Sequence, residues 1–464
     1  MSIIRPLRTA ATTAALILGL SIFALALGLF LAGFSKVQAA EVQVTAGLGQ
    51  SVIPTDGGKV YLRLSLKALA HQVSENRAPL NVGLVLDRSG SMKGTRIEAA
   101  KEAARMALSR LGRDDLVALV AYNHNVDVLQ SARRLTSHDS FTAAIDRLQA
   151  DGRTALFAGV TEGGRQVEKN YRDRQINRVI LMSDGLANVG PSTPAELAKL
   201  GQELGGKGIS VTTIGLGLGY NEDLMQRLAL ASDGNHAFAE TPEDLIKIFN
   251  SEFGDALSIA AQDIEITVEV RAGFKPVRVL GREAEIDGSH IKVKLNQLTA
   301  LNERYLIVEL DASKSAAIDE VDVASVETDY LDLQVGERRK LKARVSAAVS
   351  DDKKRQSASR DNEIMSEITT QIATERSEKA VVLRDKGDLD GARQLLQENA
   401  AILSKSRASF AAGEAPASPQ ALQELEKLEE DSKLAADNLD PEQWAKTRKA
   451  MRYQQHKAKQ RQSY

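Results

Sequence analysis

The chain contains no cysteine. Disulfide scaffolds, thiolate zinc sites and cysteine nucleophiles are therefore excluded. It also lacks an excess of charge of either sign, because 60 basic residues stand against 62 acidic ones and leave a formal net charge of −2. Such a balance gives no reason to expect binding to nucleic acid. With 464 residues, 43% of them apolar, the chain is long enough for several domains with sizeable cores.

Long hydrophobic runs are lacking except near the N-terminus. There, Arg5 and Arg8 precede an apolar stretch from about Ala14 to Phe34, and Val37-Gln38-Ala39 resembles a small-residue cleavage site. This is the layout of a secretory signal, but the apolar stretch is about as long as a bilayer span. Residues 1–39 are therefore expected to be either a cleaved signal peptide or a retained membrane anchor. Both outcomes predict an exported protein that is periplasmic, anchored in the inner membrane and facing the periplasm, or secreted.

Hydrophobic periodicity divides the rest of the chain. Alternation with period two predicts strands in residues 41–78 and a β-sandwich in residues 257–349. Residues 80–255 alternate short apolar runs with amphipathic helices, which is the pattern of an α/β domain with a doubly wound, mainly parallel sheet. The first strands are too few to bury a face alone, so we expect them to join the later sandwich, with the α/β domain inserted between them.

The C-terminal part is charged and has helical periodicity. We expect a helical hairpin over residues 353–410, a linker over 411–419 and a charged helical segment over 420–464. Basic residues are concentrated near the end of this segment. We expect them to pair with the acidic stretch Glu424–Asp431.

One motif carries recognisable chemistry. Asp87-Arg88-Ser89-Gly90-Ser91 comes directly after the apolar run Leu80–Leu86. A carboxylate and two hydroxyls on alternate positions of a loop can face one point, and such hard oxygen ligands suit magnesium, manganese or calcium. Asp184 follows a second apolar run, and Thr154 lies in a loop before a helical stretch. Because open α/β sheets bind ligands at the carboxyl ends of strands near a switch point, we expect these side chains to converge.

Together these residues resemble the metal-ion-dependent adhesion site of von Willebrand factor A domains. Its signature is Asp-x-Ser-x-Ser, a distant threonine in a glycine-rich loop and a distant aspartate before glycine. The resemblance covers about residues 80–255, and the signature is complete at Asp87, Ser89, Ser91, Thr154 and Asp184. It implies a Rossmann-like fold and one bound Mg²⁺, Ca²⁺ or Mn²⁺ ion. It also implies that Ser89 and Ser91 bind the ion directly, that the other three bind directly or through water, and that one position stays free for an Asp or Glu carboxylate of another protein. The one departure is Asp151 and Arg153, in a loop that is usually richer in glycine.

A magnesium-dependent hydrolase is the main alternative, because a carboxylate-held ion could activate water. Against it, the chain has no Walker loop, no histidine within the metal motif and no Gly-x-Ser-x-Gly elbow around Ser89. We expect His124, His138 and His236 to occupy surface or capping positions. The sequence therefore favours a binding protein that is not an enzyme.

A subunit of a channel or transport complex is the second alternative. The order of segments is similar to that of exported bacterial proteins described as calcium-activated chloride channel homologues. A single candidate span does not form a pore by itself, however. The expected function is adhesion, assembly or sensing in the cell envelope, with membrane association only if residues 1–39 are retained.

Overall fold

The computed structural model describes residues 42–69, 78–172, 174–184, 187–217, 219–241, 243–245, 247–248, 254, 258–282, 284–412, 415–460 and 462–463. These form an α/β domain, a β-sandwich and a helical C-terminal region. The predicted fold class is confirmed. The expected signal peptide or anchor, residues 1–39, lies outside the described residues. None of the helices within the described ranges is both long and apolar enough to cross a membrane.

Three strands precede the α/β domain along the chain. The strands that precede the α/β domain are β1 (Val42–Leu48), β2 (Val52–Ile53) and β3 (Gly58–Ala68). The strands of the α/β domain are β4 (Leu80–Asp87), β5 (Leu116–Tyr122), β6 (Val126–Arg134), β7 (Ile176–Ser183), β8 (Ser210–Leu216) and β9 (His236–Ala239). Its helices are α1 (Thr95–Arg110), α2 (Asp139–Asp146), α3 (Leu156–Glu168), α4 (Pro194–Gly206) and α5 (Glu222–Ala231).

The α/β sheet has the order β6-β5-β4-β7-β8-β9 and is parallel except for β6. Every residue of β4 and β7 is buried, because helices cover both faces of the sheet. The chain leaves β4 towards β5 and leaves β7 towards β8, so the topological switch point lies between β4 and β7. Strand β6 was not predicted, since its residues are mostly exposed and form no apolar run. The sequence also predicts a helix over Pro242–Phe253, which falls largely outside the described residues.

The strands on either side of the α/β domain share one sandwich. The later strands are β10 (Ile259–Val270), β11 (Phe274–Val279), β12 (Glu285–Asp287), β13 (His290–Thr299), β14 (Glu303–Ala312), β15 (Ile318–Asp332), β16 (Glu337–Val349) and β17 (Gln462–Ser463). One sheet runs β1-β3-β14-β11, with β17 beside β14, and the other runs β12-β13-β10-β15-β16-β2. The antiparallel pairing of β3 with β14 and the parallel pairing of β2 with β16 hold the two chain segments together. In this arrangement the α/β domain is an insertion in the sandwich.

The C-terminal helices pack on both other parts. They are α6 (Lys353–Ala358), α7 (Asn362–Asp385), α8 (Leu389–Ala411), α9 (Pro419–Asp437) and α10 (Pro441–Gln460). Helix α7 lies on the sandwich, where Ile364 and Ile368 pack against Leu280 and Ile307. Helix α10 lies against α7 and against α5 and β9 of the α/β domain.

The expected pairing of the basic end with Glu424–Asp431 is wrong for the residues whose ion pairs are described. Arg448 pairs with Glu222, Asp223 and Asp385. Lys446, Lys449 and Lys459 bind Glu240, Glu222 and Glu378 in the same way. The reason is that α10 is held against α5 and α7 and makes few contacts with the acidic helix α9. Lys457, in contrast, is attracted to Glu424 as expected.

Candidate metal centre

The first predicted ligand, Asp87, is the last residue of β4 and is fully buried. Its Oδ1 accepts a hydrogen bond from the backbone N–H of Ser89 at 2.8 Å. Its Oδ2 accepts from the Ser183 hydroxyl at 2.5 Å and from the Tyr122 hydroxyl at 3.3 Å. Burial raises the pKa of the Asp87 carboxyl, and the hydrogen bonds from Ser183 and Ser89 partly offset that rise. The carboxylate is therefore fixed from both neighbouring strands, β5 and β7.

Two serines and a second aspartate form further hydrogen bonds beside Asp87. The Ser89 Oγ and Ser91 Oγ lie 3.2 Å apart, and the Ser91 hydroxyl donates to Asp184 Oδ1 at 2.8 Å. Ser89 and Asp184 are buried, whereas Ser91 is exposed at the surface end of the site. Asp184 follows the last residue of β7 directly, so both aspartates stand at the switch point. Four of the five predicted residues are thus linked by hydrogen bonds, with Asp87 joined through the backbone N–H of Ser89.

Thr154 approaches the other four through its loop. The carbonyl of Gly152 accepts from the N–H of Gly90 at 2.9 Å, which ties the threonine loop to the serine loop. The N–H of Thr154 donates to Asn188 Oδ1 at 2.8 Å, and the residue is buried. Within the described part of the chain, no hydrogen bond joins its hydroxyl to the other four side chains. Gly152 has a φ of +75°, and a Cβ there would lie 2.3 Å from His124 Nδ1, so this turn requires glycine.

Arg96 is a site residue that sequence reasoning missed. It lies in the first turn of α1, and its Nη1 donates to Asp184 Oδ2 at 2.5 Å and to the carbonyl of Ser91 at 3.1 Å. Its side chain is 40% exposed, whereas that of Asp184 is fully covered. A guanidinium therefore lies against one of the two predicted carboxylate ligands. A basic residue five positions after Ser91 was the only signal, and it does not give the direction of the side chain.

Asp151, which departs from the glycine-rich pattern of this loop, lies at the edge of the site and is held by neighbouring side chains. Arg88 donates to Asp151 Oδ1 at 3.0 Å and to Asp127 Oδ2 at 2.6 Å. Asn123 donates to the same oxygen of Asp151 at 2.7 Å. The charge of Asp151 is thus paired at the rim, so that this carboxylate is held by protein donors rather than left to face the ligand cluster.

The histidines of the domain correct one expectation. His138 precedes α2 and bonds the carbonyl of Leu108 at 2.9 Å, and His124 is exposed beside Gly152. His236 was expected at the surface or at a cap, which is wrong. It is 2% exposed, and its ring nitrogens lie 2.9 Å from the Thr213 hydroxyl and 3.3 Å from the Tyr220 hydroxyl. The C-terminal helix α10 covers it, an effect of packing that the local sequence does not contain.

The donor set fits a hard divalent cation. Its side chains are two carboxylates and three hydroxyls, all oxygen ligands of the kind that magnesium, calcium and manganese prefer. No group of three or more His, Cys, Asp or Glu side chains suited to a metal is found among the described residues. Any ion held at this centre would therefore be bound by hydroxyls and water together with the two carboxylates.

Comparison with known proteins agrees with the fold. Residues 81–251 match the model of the von Willebrand factor type A domain. An uncharacterized protein of Synechocystis sp. is 26% identical over 354 residues, which are 74% of this chain and 82% of that protein. The solved von Willebrand factor type A structure from Catenulispora acidiphila has a TM-score of 0.69 at 18% identity and covers 85% of this chain and 97% of its own. The ArnB paralog VWA2 from Sulfolobus acidocaldarius has a TM-score of 0.60 at 15% identity and covers 89% of this chain and 98% of its own. The chain thus carries a von Willebrand factor type A domain, a kind of domain that commonly binds a divalent metal and takes part in protein–protein contact.

Proposed function

We propose that this chain is an exported protein that binds another protein through a divalent cation. The ion would be held by the signature residues Asp87, Ser89, Ser91, Thr154 and Asp184. The observation that carries the proposal is the hydrogen-bonded series from Asp87 through Ser89 and Ser91 to Asp184, at the switch point of the sheet. Its function would be adhesion, assembly or sensing in the cell envelope.

The charge of the site favours an acidic partner group. A bound Mg²⁺, Ca²⁺ or Mn²⁺ ion would supply a strongly charged electrophilic point with room for one more oxygen ligand. Asp87 and Asp184 neutralise such an ion, and Arg96 beside Asp184 adds a further positive charge. The loaded site therefore carries an excess of positive charge, which attracts an Asp or Glu side chain of the partner.

We assign the recognition step to Ser91 because of its exposure. Asp87, Ser89, Thr154 and Asp184 are all buried, and Ser91 is the exposed member of the set. A partner carboxylate would therefore approach beside Ser91, on the side where the guanidinium of Arg96 also reaches solvent. Because Ser91 is the exposed residue among buried ligands, the site could recognise one protruding acidic residue on the surface of a partner protein.

Binding, rather than catalysis, is the role we propose for the site. A hydrolase would need a base positioned to take a proton from water. Among the described residues, His138 is engaged with Leu108, and His236 is buried beneath α10. His124 is exposed beside Gly152 and makes no hydrogen bond to the five proposed ligands within the described part of the chain. The Ser89 and Ser91 hydroxyls lie 3.2 Å apart beside the Asp87 and Asp184 carboxylates, and we assign all four groups to the ion rather than to nucleophilic catalysis.

A pull-down from envelope extract tests the proposal, with residues 40–464 as bait in magnesium and in chelator. The threonine variant Thr154→Ala should lose the partner, because its hydroxyl is a proposed ligand of the ion. Thr161→Ala is the matched control, since Thr161 is exposed on α3 and bonds only the carbonyl of Phe157. A partner retained in chelator and by Thr154→Ala would move the binding surface to the sandwich or the helices.

A further inference from the structure

A cavity of about 580 Å³ lies within the C-terminal helical region, far along the chain from the metal centre. Helices α9 and α10 border it and hardly touch each other, while α7 and α8 form its floor. Its apolar lining includes Ala373, Leu396, Leu428, Ala435 and Met451. Pockets for small molecules commonly enclose about 300–1,000 Å³ and are mostly apolar with a few polar groups. This cavity has that size and composition.

Two acceptors in the lining have no hydrogen-bond partner among the described residues. Asn399 is 2% exposed, and its Nδ2 donates to the carbonyl of Ala373 at 3.1 Å and to the Ser432 hydroxyl at 3.3 Å. Both donors of that amide are therefore used, while its Oδ1 remains unpaired. The Oδ2 of Asp431, which also lines the cavity, is buried and unpaired as well. Buried acceptors normally have partners, so these two indicate a missing donor.

We infer that this cavity binds a small, mostly apolar molecule that carries an N–H or O–H donor. The apolar body would lie between α9 and α10, and the donor would bond Asn399 Oδ1, with Asp431 Oδ2 as a second acceptor. A purely aliphatic ligand would leave both oxygens unpaired, and an anionic ligand would meet the negative charge of Asp431. Burial raises the pKa of Asp431, and a donor placed at its unpaired Oδ2 would stabilise the carboxylate form.

The tryptophan content of the chain supplies a direct reporter. Trp444 is the only tryptophan. It packs in one cluster with Leu396, Ala435 and Met451, the same side chains that line the cavity. Energy transfer from Trp444 to a bound fluorophore therefore reports binding near this cavity, and a cavity-filling variant separates this cavity from other sites within transfer range.

The probe is N-phenyl-1-naphthylamine, whose two aromatic parts are joined by an N–H donor. With the full chain, we expect saturable energy transfer from Trp444 at one equivalent. The isosteric competitor 1-benzylnaphthalene has a methylene in place of the N–H, and it should displace the probe only at about tenfold higher concentration, the usual cost of an unpaired buried acceptor. Asn399→Leu should remove this preference between the two molecules.

Matched variants separate filling of the cavity from misfolding. Thr447→Phe places a ring in the cavity, since Thr447 lines it, and should abolish transfer. Ala445→Phe, two residues earlier on the exposed side of α10, should leave it unchanged. Both proteins must retain the wild-type melting temperature within about 2 °C for the comparison to count. Absence of saturable transfer in the wild type, equal transfer in Thr447→Phe, or equal affinity for the two isosteric molecules would each overturn the inference.

Discussion

Mild acid should loosen the C-terminal helix from the α/β domain, because two buried histidines meet at that contact. The backbone N–H of His236 donates to His456 Nε2 at 2.9 Å, so that nitrogen must be unprotonated. Both residues are 2% exposed. Burial lowers the pKa of His236 to about 3 and that of His456 well below its usual value, with further lowering at His456 from His236 and Lys459. The folded protein therefore keeps both rings neutral at mild acid pH.

The sign and size of the effect follow from proton linkage. In the unfolded chain both histidines titrate near pH 6.5, so below that pH the unfolded state binds protons that the folded state does not. Stability is complete above about pH 6.5 and falls as the pH drops through it. Between pH 7.5 and 5.5 each histidine should lower the free energy of unfolding by about 1.4 kcal/mol, and the pair by about 2.8 kcal/mol.

Urea unfolding followed by Trp444 fluorescence measures this loss, because Trp444 lies in α10. We expect His456→Gln to lose about 1.4 kcal/mol less than wild type between the two pH values. Titration of the surrounding carboxylates is common to both proteins and cancels in the difference. His290→Gln is the matched control, since His290 is exposed on the sandwich and should leave the acid loss unchanged. The same acid loss in His456→Gln and wild type would refute the reasoning.

Three further substitutions test other contacts. Arg96→Gln should tighten magnesium binding about fivefold in isothermal titration, because the guanidinium beside Asp184 no longer repels the incoming ion, an effect of about 1 kcal/mol; unchanged or weaker binding would contradict this. Arg304→Met should lower the free energy of unfolding by about 2–3 kcal/mol in urea, because the buried Asp233 carboxylate loses the guanidinium that donates to it at 2.6 and 2.7 Å. The loss stays below that of an unpaired buried charge, since Arg282 at 3.4 Å and the N–H of Asn296 at 2.8 Å remain. Gly152→Ala should lower the free energy of unfolding by about 1–3 kcal/mol through backbone strain and should also weaken magnesium binding. Wild-type stability of this variant would show that the loop tolerates a side chain.

Much of the α/β domain could be predicted from local pattern. The apolar runs that became β4 and β7 are buried on both faces, and such runs are readable without knowledge of their neighbours. Asp87 and Asp184 were expected to converge because both stand at the carboxyl ends of parallel strands, and the hydrogen bonds through Ser91 bring them together. The local order of elements therefore contains enough information to assemble the centre of the candidate site.

The remaining features depend on contacts between distant parts of the chain. Strand β6 is an exposed edge whose composition gives no strand signal. The guanidinium of Arg96 donates to Asp184, 88 residues further along the chain, and no periodicity encodes that contact. His236 is buried by a helix that lies 220 residues further along the chain. Such tertiary packing overrides local expectation, which is why Arg448 and the lysines beside it were also assigned to the wrong acidic partners.

The most direct test of the central claim is magnesium-dependent stability of the wild-type protein and Ser91→Ala. Ser91 is exposed, so its substitution should leave the metal-free fold intact. At a magnesium concentration about 100 times the dissociation constant, the wild type should gain about 2.7 kcal/mol in its free energy of unfolding. Ser109→Ala, which changes an exposed serine of α1, is the control and should show the same gain. We predict that Ser91→Ala loses most of the gain, and equal gains in all three proteins would contradict metal binding at this site.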